Sequence, residues 1–307
     1  MSELKYFIAL KCLSFSSMDK NKIDALIALL DDPDSEVIDA VTDNLLREGP
    51  EIIPQLEKIW ESTLDEALQE RLENVIHNIQ FDNTKKNLIA WCNSGAEYVF
   101  DGAAYLAHFQ FPEINLQKLD KEITKIKEDI WLEVNNNLTA LEKVKILNYV
   151  IFDIHKYTRN TSNFYSPQNS FINQVIETKK GNPISLAIIY MAVAYKLNLP
   201  IYGVNLPKNF ILAYKDEYRQ HDSEDETEDI LFYINPYNKG AVLGKREIDY
   251  FIEQQQLKQE KSYYTPCTNQ EIIVRLINNL ILSYEKLGFR DKISRLKELL
   301  GIFNPAI

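Results

Sequence analysis

The residues able to act as nucleophiles or bases are few and scattered. Cys12, Cys92 and Cys267 lie far apart with no CxxC pair, so neither a disulfide framework nor a zinc knuckle is expected. Thiols used this way suit a reducing compartment, and a cytoplasmic protein is expected. His108 and His155 each stand without a second ligand or a carboxylate at fixed spacing, and read first as packed or surface residues. His221 lies in the stretch 216–229, where eight acidic residues meet one arginine. That stretch lacks the regular oxygen spacing and glycine of a calcium loop, so a solvated connection is expected rather than a metal site. The sequence leads us to expect no metal and no cofactor.

The polar signals instead concentrate in four short runs: Asn169-Ser170-Phe171-Ile172, Gly181-Asn182-Pro183-Ile184-Ser185-Leu186, Gly203-Val204-Asn205-Leu206-Pro207-Lys208-Asn209-Phe210 and Ile234-Asn235-Pro236-Tyr237-Asn238. Asn182 can cap a helix, and Pro183 suits the first helical position because its missing N–H would be unpaired there anyway. From Ile184 to Leu197 the residues are apolar on nearly every face, which predicts a helix inside the domain. Its N-terminus offers partial positive charge and unpaired amides to any cleft that opens there.

Strands are predicted on the C-terminal side of this helix, at Pro200 to Tyr202, Phe210 to Tyr214 and Ile230 to Ile234, the last two forming a hairpin. Residues 84 to 165 read as mainly helical, with a start at Thr139-Ala140-Leu141-Glu142 and a stripe of Leu141, Val144, Leu147 and Ile151. After a helix from Lys245, Thr268 caps a final pair that turns at Gly288, with Asp291 as the expected second cap. That pair looks like a single tetratricopeptide unit. At the other end, 22 to 80 reads as two helix pairs: Lys22 to Leu30 with Ser35 to Arg47, then Glu51 to Ser62 with Asp65 to Gln80. Asp31-Asp32-Pro33-Asp34 and Gly49-Pro50 separate the helices, and Thr63 to Glu66 has capping-box spacing. These pairs resemble HEAT-type repeats.

Composition narrows the function. The 45% hydrophobic content over 307 residues supports a substantial core, and a net charge of −11 argues against nucleic acid as a partner. The opening Met1 to Leu13 carries only a short apolar run, too brief for a signal-peptide core, and no run is long enough to span a membrane.

The four runs, in this order and at these spacings, resemble the transglutaminase-like proteins of the SirB type from about Asn87 to Leu300. The resemblance implies an α+β, mainly α fold. It would have a papain/transglutaminase-like core with a small antiparallel sheet, preceded by N-terminal HEAT-like helical pairs and followed by a C-terminal helix pair. The corresponding regions are 1–83, 84–262 and 263–307. It also implies a catalytic cysteine at the N-terminus of the central helix, with histidine and aspartate on the next two strands. These positions fall at Pro183, Asn209 and Asn235. A helix N-terminus and an imidazole activate a thiol, and a carboxylate orients the imidazole; proline and two asparagines do none of this. Loss of the nucleophile alone costs on the order of a million-fold in kcat for a triad enzyme. Proline at the first position is frequent in the SirB-type group, whereas the histidine is usually kept.

The leading expectation is therefore a non-catalytic pseudoenzyme that binds a protein or peptide partner. Its cleft is expected to be lined by Pro183, Ser185, Asn205, Lys208, Asn209, Asn235 and Tyr237. The alternative is a hydrolase or acyl-transferase with a rebuilt site, pairing Ser185 with His155. A third reading places the partner surface on the HEAT-like front alone.

Overall fold

The computed structural model describes residues 22–135, 137–216 and 227–303. Cys12, His221 and most of the acidic connection lie outside the described residues. The chain divides into two compact units, Met1–Lys86 and Asn87–Ile307.

The first unit is helical: α1 (22–28), α2 (Ser35–Glu48), α3 (Ile53–Ser62) and the start of α4 (Glu66–Asn93). Ile23, Ile27, Leu30, Val41, Leu45, Leu56, Leu72 and Ile79 form its core, as the three- and four-residue spacing of the apolar positions dictates. Asp34 caps α2 by accepting from the Glu36 N–H. The cap of α4 is Asp65, which accepts from the Ala67 and Leu68 amides at 2.8 and 3.3 Å. The Thr63 to Glu66 capping box is thus corrected by two positions, because an Asp at the cap satisfies the same orphan donors. Nor does α4 end at Gln80. No glycine or proline interrupts the chain before Gly95, so the helix continues to Asn93, and residue 83 lies within it.

The second unit is built around α9 (Pro183–Lys196), in which every residue from Ile184 to Ala194 is buried. Helices α5 (Val99–Ala107), α6 (Leu116–Trp131) and α8 (Ile172–Thr178) pack on it from one side, and a sheet covers the other. Between them α7 (Ala140–Asn148), with the expected capping box at Thr139, passes into a π-helical turn, Tyr149–Ile154. The sheet order is β3-β4-β5-β6, all antiparallel: β3 (Ile201–Val204), β4 (Ile211–Lys215), β5 (Ile230–Asn235) and β6 (Ala241–Leu243). Leu212 pairs with Ile234 across the predicted hairpin, and Tyr233 pairs with Leu243 in the three-residue β6 that the sequence did not reveal. Buried along most of its length, β4 reads as an unbroken apolar run because it lies between two strands and against α9. A second sheet is only β1 (Thr158–Arg159) parallel to β2 (Lys180–Gly181).

After α10 (Lys245–Gln254) come α11 (Asn269–Leu287) and α12 (Arg290–Leu300). Thr268 and Glu271 form a reciprocal cap, and Gly288, at φ +79°, turns the chain. Asp291 is not the cap of α12. The N-cap is Phe289 with no side-chain bond, and Asp291 lies in the first turn, where its charge faces the helix dipole. The fold is therefore α+β and mainly α.

Candidate functional site

The N-terminus of α9 is held by a closed set of polar contacts. The Asn182 Oδ1 accepts from the Ser185 N–H at 2.9 Å, and the Ser185 Oγ accepts from the Asn182 N–H at 3.0 Å. Asn182 Nδ2 also donates to the Ser170 Oγ at 2.8 Å. Behind it, Asn169 Nδ2 donates to the carbonyls of Asn163 and Phe164, and its Oδ1 accepts from Asn160 Nδ2 at 2.8 Å. Asn169, Ser170, Asn182 and Ser185 are all buried. Gly181 is required here: a Cβ would lie 2.6 Å from the Ser185 Oγ. The asparagines and serines of the first two runs are thus used to fix backbone, in keeping with the rule that buried polar groups find partners.

The turn before β4 is fixed from the opposite side. The Asn209 N–H donates to the Leu206 carbonyl at 3.2 Å, with Pro207 and Lys208 between them and Lys208 at φ +59°. Arg275 of α11 clamps this turn. Its Nη1 donates to the Leu206 carbonyl at 2.9 Å and to the Asn205 Oδ1, and its Nη2 donates to the Asn209 carbonyl at 2.6 Å. The guanidinium lies 5.6 Å from the centre of the Phe210 ring. No carboxylate pairs with it among the described residues, and burial pulls its pKa below the usual arginine value.

Between these two supports lies a cavity of about 350 Å³. It is lined by Asn182, Pro183 and Ile184 from α9, Lys208, Asn209 and Phe210 from the turn, Arg275, Asn279, Leu282 and Ser283 from α11, and Phe164 and Tyr165 at the mouth. Of the seven residues expected to line a cleft, it brings together Pro183, Lys208 and Asn209. Ser185 is fully buried and committed to the cap, because the reciprocal capping box turns its hydroxyl back onto the backbone. Asn205 faces a separate pocket with Pro207 and Cys267. Asn235 accepts from the Tyr237 N–H at 3.1 Å, capping a 3₁₀ turn, and Tyr237 lines a small pocket of about 120 Å³ with Arg159.

Arg275, Asn279 and Ser283 escaped sequence reasoning. They recur every four residues on one face of α11, but the residues they meet are distant in sequence. Their only sequence signal was polarity interrupting an apolar helix.

Among the described residues, the remaining reactive groups do not supply a triad. Burial pushes the Cys267 thiol up to about 12, and its Sγ donates to the Gly203 carbonyl at 3.3 Å; burial raises Cys92 as well. Neither is an activated thiolate at neutral pH. His155 Nε2 pairs with Asp129 Oδ2 at 2.8 Å, whereas the Ser185 hydroxyl bonds only to Asn182 among the described residues. The Ser185–His155 pair is therefore not formed. His108 Nε2 meets the Ile114 carbonyl at 3.2 Å. Among the described residues no group of three or more His, Cys, Asp or Glu side chains is placed to hold a metal ion.

The family described as "Transglutaminase-like superfamily" matches residues 117–278, just over half the chain. A UPF0162 protein of Xylella fastidiosa (strain 9a5c) is 26% identical over 199 residues, covering 63% of this chain and 67% of the relative. F-box only protein 21 of Homo sapiens is 24% identical over 286 residues, covering 83% of this chain and 44% of the relative. The corresponding Mus musculus protein is 30% identical over 159 residues, covering 51% and 24%. The chain thus spans less than half the length of these F-box only protein 21 relatives. No solved structure gives a significant match. The matched span begins in α6 and ends in α11, enclosing α9, the four-stranded sheet and the whole lining of the cavity except Asn279, Leu282 and Ser283; on this ground the chain belongs to the transglutaminase-like superfamily.

Proposed function

We propose that this chain is a non-catalytic transglutaminase-like protein of the SirB type whose cavity at the α9 N-terminus recognises a protein or peptide. The observation that carries the reading is the state of the three family positions. Pro183 has no nucleophile, Asn209 directs its Oδ1 to the next residue's N–H at 2.9 Å, and Asn235 caps a turn. Each makes a local backbone contribution in place of chemistry. The surrounding cavity offers amides, two hydroxyls and three aromatic rings, groups that suit hydrogen-bonded peptide recognition. The similarity to F-box only protein 21 chains supports an interaction role.

In the same reading the helical pairs of the first unit are a HEAT-like flank, α11 and α12 are a tetratricopeptide-like pair, and the protein works in the cytoplasm. Among the described residues no helix is long and apolar enough to cross a membrane. The test is affinity purification with two variants. Leu282→Arg at the cavity mouth, where the side chain is 45% exposed, is expected to lose the partner. Leu64→Arg in the first unit, 98% exposed, is expected to keep it. The reverse pattern would favour the HEAT-like front as the partner surface and contradict this proposal.

A further inference from the structure

The cavity has a charge that the family positions do not explain. Its lining includes Lys208 and Arg275 and no acidic residue, within a chain of net charge −11. A third cation, Lys286, sits 3.3 Å from the centre of the Tyr165 ring at the mouth. Arg275 spends its Nη1 hydrogens and one Nη2 hydrogen on the turn, so its Nε–H and second Nη2–H have no acceptor among the described residues. The Asn279 side chain, which also lines the cavity, is not used by any hydrogen bond within the described residues either. A guanidinium partly withdrawn from water and without a carboxylate partner attracts an anion more strongly than one on the surface.

We infer that the cavity binds the terminal carboxylate of a peptide, with Arg275, Lys208 and Asn279 holding the carboxylate and an apolar last side chain packed against Phe164, Tyr165 and Leu282. This rests on the recognition reading above and names its ligand. A carboxylate matches the planar fork of a single guanidinium, whereas phosphate recognition on proteins characteristically gathers several arginines, and here there is one. The mouth explains the apolar residue. Phe164 and Tyr165 stack edge to face at 5.2 Å, and both remain nearly half exposed, as does Leu282. The volume of about 350 Å³ is at the small end of ligand pockets, enough for one residue and its carboxylate rather than a long segment.

The experiment offers the immobilised full chain three pools of random N-acetylated hexapeptides without Asp or Glu, and quantifies retained peptides by mass spectrometry. One pool ends in a free carboxylate, one in an amide, and one is amidated but carries a single internal phosphoserine. The free-acid pool is expected to be retained about tenfold or more over the amidated pool, since charge-assisted hydrogen bonds are at stake. Asn279→Asp, which presents Arg275 with a carboxylate of its own, is expected to abolish that preference, while Asn279→Ala weakens it only in part. Unchanged melting of both variants, read by circular dichroism, separates this from misfolding. Equal retention of the free-acid and amidated pools overturns the carboxylate and leaves peptide recognition standing. Preference for the phosphoserine pool overturns it in favour of phosphate. Retention of no pool overturns the recognition reading itself.

Discussion

The two ends of α9 make different openings in the same unit. At the C-terminal end lies the larger one, about 740 Å³, bordered by Tyr98, Tyr195 and Tyr202 together with Glu97, Lys215 and Asp216. Tyr98 stacks on Tyr195 at 4.9 Å, and Lys215 lies 5.8 Å from the Tyr202 ring centre. Charges of both signs are mixed there, and the backbone dipole of the helix points its negative end toward the opening. At the N-terminal end the opening is half the size, its charges have one sign, and the dipole is positive. The difference teaches that cavity size and charge character do not go together in this protein. The smaller opening has a defined electrostatic preference, and two independent supports, the Asn182 cap and the Arg275 clamp, hold it open.

Breaking the first support has the largest expected effect. Asn182→Ala removes an N-cap, worth about 1 to 2 kcal/mol, and strips the Ser170 hydroxyl and Ser185 N–H of a buried partner. A loss of about 3 kcal/mol in urea unfolding is expected, and a loss within about 0.5 kcal/mol would show that the cap network is incidental. Breaking the second support costs less. Arg275→Met frees the Leu206 and Asn209 carbonyls but also removes a partly buried charge, so a loss of about 2 kcal/mol is expected, with free-acid peptide binding gone.

A thiol placed at each end reads the electrostatics directly. Pro183→Cys is expected to be alkylated about tenfold faster at pH 7 than Tyr195→Cys, because the α9 N-terminus and Arg275 favour a thiolate while the other end does not. Cys267 serves as an internal reference. Its pKa is raised in the folded state, so the protonated thiol is stabilised below the ordinary thiol range and that stabilisation is lost only as pH rises toward about 12. At pH 7 it should stay unlabelled. Even with the new thiol, Pro183→Cys is expected to show no acyl-transfer turnover, since Asn209 is no base; turnover would mean a base has been overlooked. The smallest effect on stability belongs to Lys208→Gly, which relieves a left-handed backbone and costs chain entropy, for a net change within about 1 kcal/mol. Its binding of free-acid peptides should nevertheless fall, measured by fluorescence polarisation.

Local signals made much of the fold legible. Asn182-Pro183 before an apolar run marks the start of α9, the Thr139 and Thr268 capping boxes mark α7 and α11, and the aromatic and β-branched runs mark β4 and β5. Signals within two to four residues fix such features. Less legible were β1, β2 and β6, because two or three residues carry no period and their pairing is decided by distant partners. The limit of α4 is not legible either, because polar residues near Gln80 resemble a boundary although nothing there breaks a helix. For the candidate site, the motif located α9 and the Lys208–Asn209 turn, yet could not tell that Ser185 turns inward or that Tyr237 faces another pocket. Arg275 reaches acceptors some seventy residues away in sequence, a juxtaposition that only the folded chain creates.

The most direct measurement adds a selected free-acid peptide to the isotopically labelled full chain and follows backbone amide chemical shifts. The account predicts saturable changes at residues 182–184, 208–210 and 275–283, with residues 195–202 unaffected and the peptide intact after prolonged incubation. Shifts confined to residues 195–202, or cleavage of the peptide, would contradict it.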